Sequence, residues 1–136
     1  MKVNVRYATE EDTMRIVRGL QNKHLDFNTP AQARHDIEMK SLLVAIIDNK
    51  IVGSLAVVNT THGYKGLKRG CIYNKKNYGK GIMSALFDYA LSLGYDTYGC
   101  TPWADNSAII KMISKRGFQY EKTVAEKYLV YVKRKI

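Results

Sequence analysis

The chain of 136 residues has few of the residues that staple a fold or break it: two cysteines and two prolines. Cys71 and Cys100 make no disulfide framework and have no close metal-ligand spacing, so reduced, partly buried thiols are expected and no metal. No stretch reaches the roughly 20 apolar residues of a membrane span, which excludes a helical membrane protein. The opening "MKVNVRYATEED" has no apolar h-region and no small-residue cleavage site, the pattern of a mature cytoplasmic protein. Acidic residues are also scarce, 12 against 22 Lys and Arg, for a net charge of +10. Residues 1–64 are nearly balanced, with eight basic and seven acidic; residues 111–136 hold eight against two. That excess fits an anionic ligand or partner in the second half, and a generic solvated basic surface gives the same count.

What is present is ordinary globular composition, 46% hydrophobic and 25% charged, and enough length for one domain over 1–136 with a real core. "KVNVRYAT" alternates, with Val3, Val5 and Tyr7 on one face, and predicts a strand. Thr9 and Asp12 resemble a capping box ahead of Met14, Ile16, Val17 and Leu20, which predict a helix to about His24. Thr29-Pro30 starts a second helix, through Ile37 and Met39, with His24 and His35 on helix surfaces. "LLVAIIDNKIVGSLAVVN" predicts a strand pair turning at Asp48-Asn49-Lys50 and covered by helices on both faces. "TTHGYKG" reads as a flexible connection and "LKRGCIYN" as the next strand. Ile82, Leu86, Tyr89, Ala90 and Leu93 mark a helix stopped by Gly94; "YDTYGCT" is a strand; Ile109, Ile110 and Ile113 mark a last helix ended by Gly117. "FQYEKTV" and "EKYLVYVKRK" close the chain as a strand pair. The predicted order is βααβββαβαββ.

The stretch "YNKKNYGKGIMSALFDYALSLGY" sets two glycines and three lysines ahead of an amphipathic helix. A helix starting near Gly81 offers unpaired N–H groups and a positive dipole end. Gly79 and Gly81 allow unusual dihedrals and close backbone approach, and Lys75, Lys76 and Lys80 add charge. Together these suit a pyrophosphate. A basic strand-to-helix turn with no ligand is the alternative from these residues alone.

Over its whole length the sequence resembles the GNAT acyltransferase superfamily. Tyr78-Gly79-Lys80-Gly81-Ile82-Met83 falls on that family's Arg/Gln-x-x-Gly-x-Gly/Ala pyrophosphate loop, with Tyr78 and Met83 as departures. Asn106 through Gly117-Phe118 matches its "Asn…Gly-Phe" helix and following strand. The resemblance implies an α/β (α+β) fold, a mixed, mostly antiparallel central sheet flanked by helices. It also implies acetyl-CoA or another acyl-CoA as co-substrate and transfer to an amine in a ternary complex. Contacts to the acyl-CoA are then expected from Cys71, Ile72 and Tyr73, whose backbone N–H groups would meet the oxyanion, from residues 78–83, and from Asn106.

Acyl transfer requires a deprotonated amine, a stabilised oxyanion and a thiolate able to leave; an amine of pKa near ~10.4 needs a base. The family's acid tyrosine falls here on Ile113, which cannot donate a proton and reads as core. Tyr98 and Cys100 are the first substitute donors, with His62 and Tyr73 as further titratable groups. Trp103 lies either near the acceptor channel or as a cap over the core. Two other readings share the fold: a degenerate member binding CoA or a partner without turnover, and a nucleic-acid-binding or nucleobase-modifying protein using Lys115, Arg116, Lys133, Arg134 and Lys135. The chain is expected to be a monomer or homodimer.

Overall fold

The computed structural model describes residues 2–21, 29–61 and 63–134. The strands are β1 (Asn4–Tyr7), β2 (Leu42–Ile47), β3 (Lys50–Asn59), β4 (Lys65–Ile72), β5 (Thr97–Cys100), β6 (Gln119–Val124) and β7 (Tyr128–Arg134). The helices are α1 (Thr13–Gln21), α2 (Pro30–Glu38), α3 (Ile82–Ser92) and α4 (Ser107–Lys115). The predicted order of elements is the observed one. All seven strands form one sheet in the order β1-β2-β3-β4-β5-β7-β6, antiparallel except between β4 and β5.

Alternation along β2 explains the three layers. Leu43 and Ala45 face one side with Leu55, where Ile82, Leu86 and Phe87 of α3 cover them. Leu42 and Val44 face the other with Ala56, under Ile16 and Leu20 of α1 and Ala33 and Ile37 of α2. Both faces of β2 and β3 are therefore apolar because both are covered. Ile113 is fully buried beside Phe118 in the α3-side core. Neither Cys71 nor Cys100 forms a disulfide, and both are buried.

Local chemistry fixes the element ends. The Thr29 hydroxyl accepts from Gln32 N at 3.1 Å, with Pro30 in the first turn of α2. Asp12 accepts from Thr9 N at 2.8 Å and holds the Arg6 guanidinium at 2.7 and 3.0 Å, tying β1 to the start of α1. The β2–β3 hairpin turns on two residues, Asp48 and Asn49, both at positive φ; Lys50 already pairs with Ile47, so the loop is shorter than the three residues predicted.

Two other expectations change. "TTHGYKG" is not wholly a connection: Lys65 and Gly66 open β4, bridging Asn59 and Val58 on one side and Tyr98 and Gly99 on the other. A lysine and a glycine carry no strand pattern, so the pairing partners decide. The strand also ends at Ile72 rather than Asn74, whose side chain instead caps Lys76 N at 3.1 Å. The predicted end of α1 near His24 lies outside the described residues. No described helix is long and apolar enough to cross a membrane.

Candidate active site

The site follows from one irregularity in β4. Beyond Gly66 the strand no longer pairs with β5, so these parallel neighbours part and leave the β4 edge open. The opening coincides with a bulge: Ala56 pairs with Lys68 and Ser54 with Cys71, so β4 carries one residue more than β3. Arg69 takes the extra place at φ +56, and its guanidinium reaches across to Asp36 of α2 at 2.9 and 3.1 Å. Asp36 is almost fully buried. A helix on one face of the sheet thus pins the bulge that opens the strand.

Past the bulge the ladder decides which amides reach the opening. Tyr73 N donates to Val52 O at 2.9 Å, so the Tyr73 amide is spent on β3. Strand alternation sends the Cys71 amide to β3 as well, opposite Ser54, and turns the Ile72 amide toward the edge vacated by β5. Of the three backbone donors expected on this strand, only Ile72 has that orientation. The side chain of Tyr73 is committed too: its hydroxyl donates to Ser54 Oγ at 2.8 Å under α1, and burial raises its pKa.

A cleft of about 1280 Å³ fills the parting. Leu67, Gly70 and Leu55 line it from the sheet, Met83 and Phe87 from α3, and Cys100 from the end of β5. Its outer part is polar and aromatic: Tyr64, Glu121, Trp103 and Tyr128. Trp103 stands edge-on to Tyr128 with ring centroids 5.0 Å apart and is 42% exposed, so it belongs to the mouth rather than the core.

The substitute proton donors named from sequence fare poorly. Tyr98 is buried on the α3 side, its hydroxyl donating to Ala90 O and accepting from Tyr95 N, and it does not line the cleft. Cys100 does line it, but burial pushes its thiol up to about 12, with Lys68 only partly opposing the shift. A thiol held there gives up its proton less readily than an ordinary phenol of pKa near ~10. His62 lies outside the described residues, and His35 is exposed on α2.

Sequence reading missed Tyr64 and Glu121. Tyr64 ends the connection before β4 and lays its ring flat on Gly99 of β5, at the point where the two strands part. Burial, then the nearby Glu121 carboxylate, raises the Tyr64 pKa, so the phenol keeps its proton at neutral pH. Glu121 is held by Arg134 at 3.1 Å. No spacing motif links residues 64, 99 and 121; only the glycine in β5 hints at a close approach.

The glycine turn lies outside the cleft, at its α3 end. Gly79 and Gly81 both adopt positive φ, and Gly81 caps α3, whose first intrahelical bond is Ala85 N to Gly81 O. The Ile82, Met83 and Ser84 amides therefore precede that bond. A Cβ at either glycine would meet nothing within 4 Å, so the turn opens onto free space. Lys80 lies 3.4 Å from Asn77, while Lys75, Lys76 and Tyr78 are exposed. Asn106 caps α4 through Ile109 N and also lines the cleft. Among the described residues no group of His, Cys, Asp or Glu could hold a metal ion.

No family model and no curated protein matches the sequence. Solved structures do match. A GNAT family acetyltransferase from Bacillus cereus superposes over 100% of this chain and 99% of its own, with a TM-score of 0.86 at 19% identity. This is the GNAT fold. Ard1 from Thermoplasma volcanium has it too, with a TM-score of 0.83, 16% identity and 100% and 99% coverage. So does the ribosomal-protein alanine N-acetyltransferase of Escherichia coli, at 0.81 and 11% identity over 98% and 94% of the two chains. Against the family pattern that the sequence resembles, this chain's departures are Tyr78, Met83 in the first turn of α3, and the buried Ile113.

Proposed function

We propose that the protein is an acyl-CoA-dependent N-acyltransferase, with acetyl-CoA as donor and a primary amine as acceptor. One observation carries this: β4 and β5 part beside the glycine turn of α3, so an anion site and an open strand edge feed a single cleft. The free amides of α3, the open space at Gly79 and Gly81 and the nearby lysines suit a pyrophosphate. An acyl-CoA bound there would supply an acyl group activated as a thioester.

The chain's own groups divide the remaining work. The Ile72 N–H serves as the backbone donor along the open edge, where oxyanion stabilisation needs a fixed dipole. Glu121, an acidic side chain lining the cleft, takes one proton from the acceptor ammonium, and the neutral amine so formed attacks the thioester carbonyl. Tyr64 keeps its phenolic proton until the C–S bond breaks, gives it to the leaving sulfur and regains one from the nitrogen of the new amide, the role that Ile113 cannot fill. The mouth formed by Trp103 and Tyr128 admits the acceptor.

The experiment is calorimetric titration with CoA, followed by acyl transfer to a panel of amines and peptides with free N-termini. Tyr64→Phe is expected to lower kcat by about 10²-fold, the low end for general acid help, with CoA affinity unchanged. Cys100→Ala is expected to leave kcat within about threefold. Equal rates for wild type and Tyr64→Phe would remove the phenol from the mechanism. The burial of Ile113 favours a second reading, a CoA-binding protein without turnover. CoA binding with no transfer to any acceptor would support it. The nucleic-acid reading has two of its five basic residues in ion pairs, Arg116 with Asp88 at 2.7 Å and Arg134 with Glu121.

A further inference from the structure

Met83 sits between the glycine turn and the floor of the cleft. It occupies the first turn of α3 and lays its thioether over the bare backbone of Gly70 on β4. A Cβ added at Gly70 would stand 3.1 Å from Met83 Sδ, 3.2 Å from its Cε and 3.5 Å from Leu55 Cδ1. Phe87 lies one turn further along α3 and lines the same wall. Gly70 is exposed and Met83 half-buried. A ligand that runs from Gly79–Gly81 along the open edge meets the Met83 thioether where it covers Gly70.

We infer that Met83 and Gly70 are the opposing walls of the acyl slot, and that their contact limits the protein to short acyl chains. The inference rests on the acyl-CoA reading above. A methionine side chain is unbranched and adaptable, so it fills the slot without fixing its width as tightly as a branched residue would. Gly70 has no positive φ, so its lack of a side chain serves space rather than backbone conformation. Truncating Met83 to alanine removes three heavy atoms, room for about two or three methylenes.

The test is calorimetric binding of CoA, acetyl-CoA, butyryl-CoA and hexanoyl-CoA to wild type, Met83→Ala, Gly70→Ala and the double variant. Wild type is expected to bind hexanoyl-CoA at least tenfold more weakly than acetyl-CoA. Met83→Ala should bring that gap within about threefold. Gly70→Ala should narrow the slot, weakening acetyl-CoA relative to CoA, and the added Met83→Ala should reverse that loss. If Met83→Ala fails to fold, Gly70→Ala asks the same question from the opposite wall. The same chain-length profile in all four proteins, with CoA bound, overturns this inference alone. Failure of wild type to bind CoA overturns the acyl-CoA reading and takes this one with it.

Discussion

Replacing Gly99 with alanine tests whether the phenol at the parting of the strands is placed by the fold. The new Cβ would stand 2.6 Å from Tyr64 Cδ1 and 2.7 Å from Cζ, and closer still to Cε1. Carbon atoms rest at about 3.5–4.0 Å, so the ring must retreat by roughly an ångström or more. The backbone at Gly99 has no positive φ, so alanine itself is tolerated there and the ring alone must give. Overpacking of this kind costs about 1–3 kcal/mol, to be read as a lower urea midpoint at constant m-value. Catalysis should lose more than stability, because an ångström misplaces a proton donor: kcat is expected to fall as far as in Tyr64→Phe, about 10²-fold. The double variant Gly99→Ala/Tyr64→Ala should recover the stability and none of the rate. A folded Gly99→Ala protein with wild-type kcat would refute both the placement and the assigned role.

Asp36→Ala removes the bidentate partner of the largely buried Arg69 and is expected to destabilise by about 3 kcal/mol, measured by denaturant unfolding, with acyl-CoA affinity falling as the β4 bulge relaxes. Wild-type affinity in a destabilised Asp36→Ala protein would separate the bulge from the site. The Arg6 guanidinium holds the Asp12 carboxyl down at about 2, so its contribution is complete above the unfolded value near pH 3.8 and is lost as pH falls toward 2. Because Arg6 is half exposed, roughly 1 kcal/mol is expected, and acid unfolding of Asp12→Asn should lack that pH dependence. Lys76→Ala and Lys80→Ala should each weaken CoA several-fold and flatten its salt dependence, in titrations from low to high ionic strength. They are cleaner probes than a substitution at Gly81, where φ of +75 strains any side chain.

The layers of the fold were legible because they depend on patterns inside single elements. Leu42 to Ile47 reads as apolar on both faces, and α1 and α3 cover those faces. Asp48-Asn49, Gly81 and Gly94 mark turns whose positive φ their residue types favour. The site was less legible because its parts lie on different elements. Tyr98 and Cys100 sit on the right strand, but alternation gives both the α3 side of the sheet, and burial there takes away their chemistry. Tyr64 sat in a segment read as connection, and its place is set by a glycine 35 positions further on.

The backbone part of the site was the hardest to read, and the reason is physical. An amide's direction depends on register, and register depends on the partner strand. One extra residue at Arg69 separates the pairing of Ala56 with Lys68 from that of Ser54 with Cys71. That shift helps decide that Tyr73 N donates to Val52 while Ile72 faces the opening. Arginine is an unexpected residue for positive φ, and the sequence offers no turn signal there. Its conformation is held from outside the strand, by the carboxylate of Asp36 on α2. The opening therefore owes its shape to an ion pair between distant positions, and the proposed oxyanion donor is a backbone amide that any side chain could accompany. In the proposed mechanism isoleucine can stand at position 113 because another phenol, Tyr64, lies where the strands part.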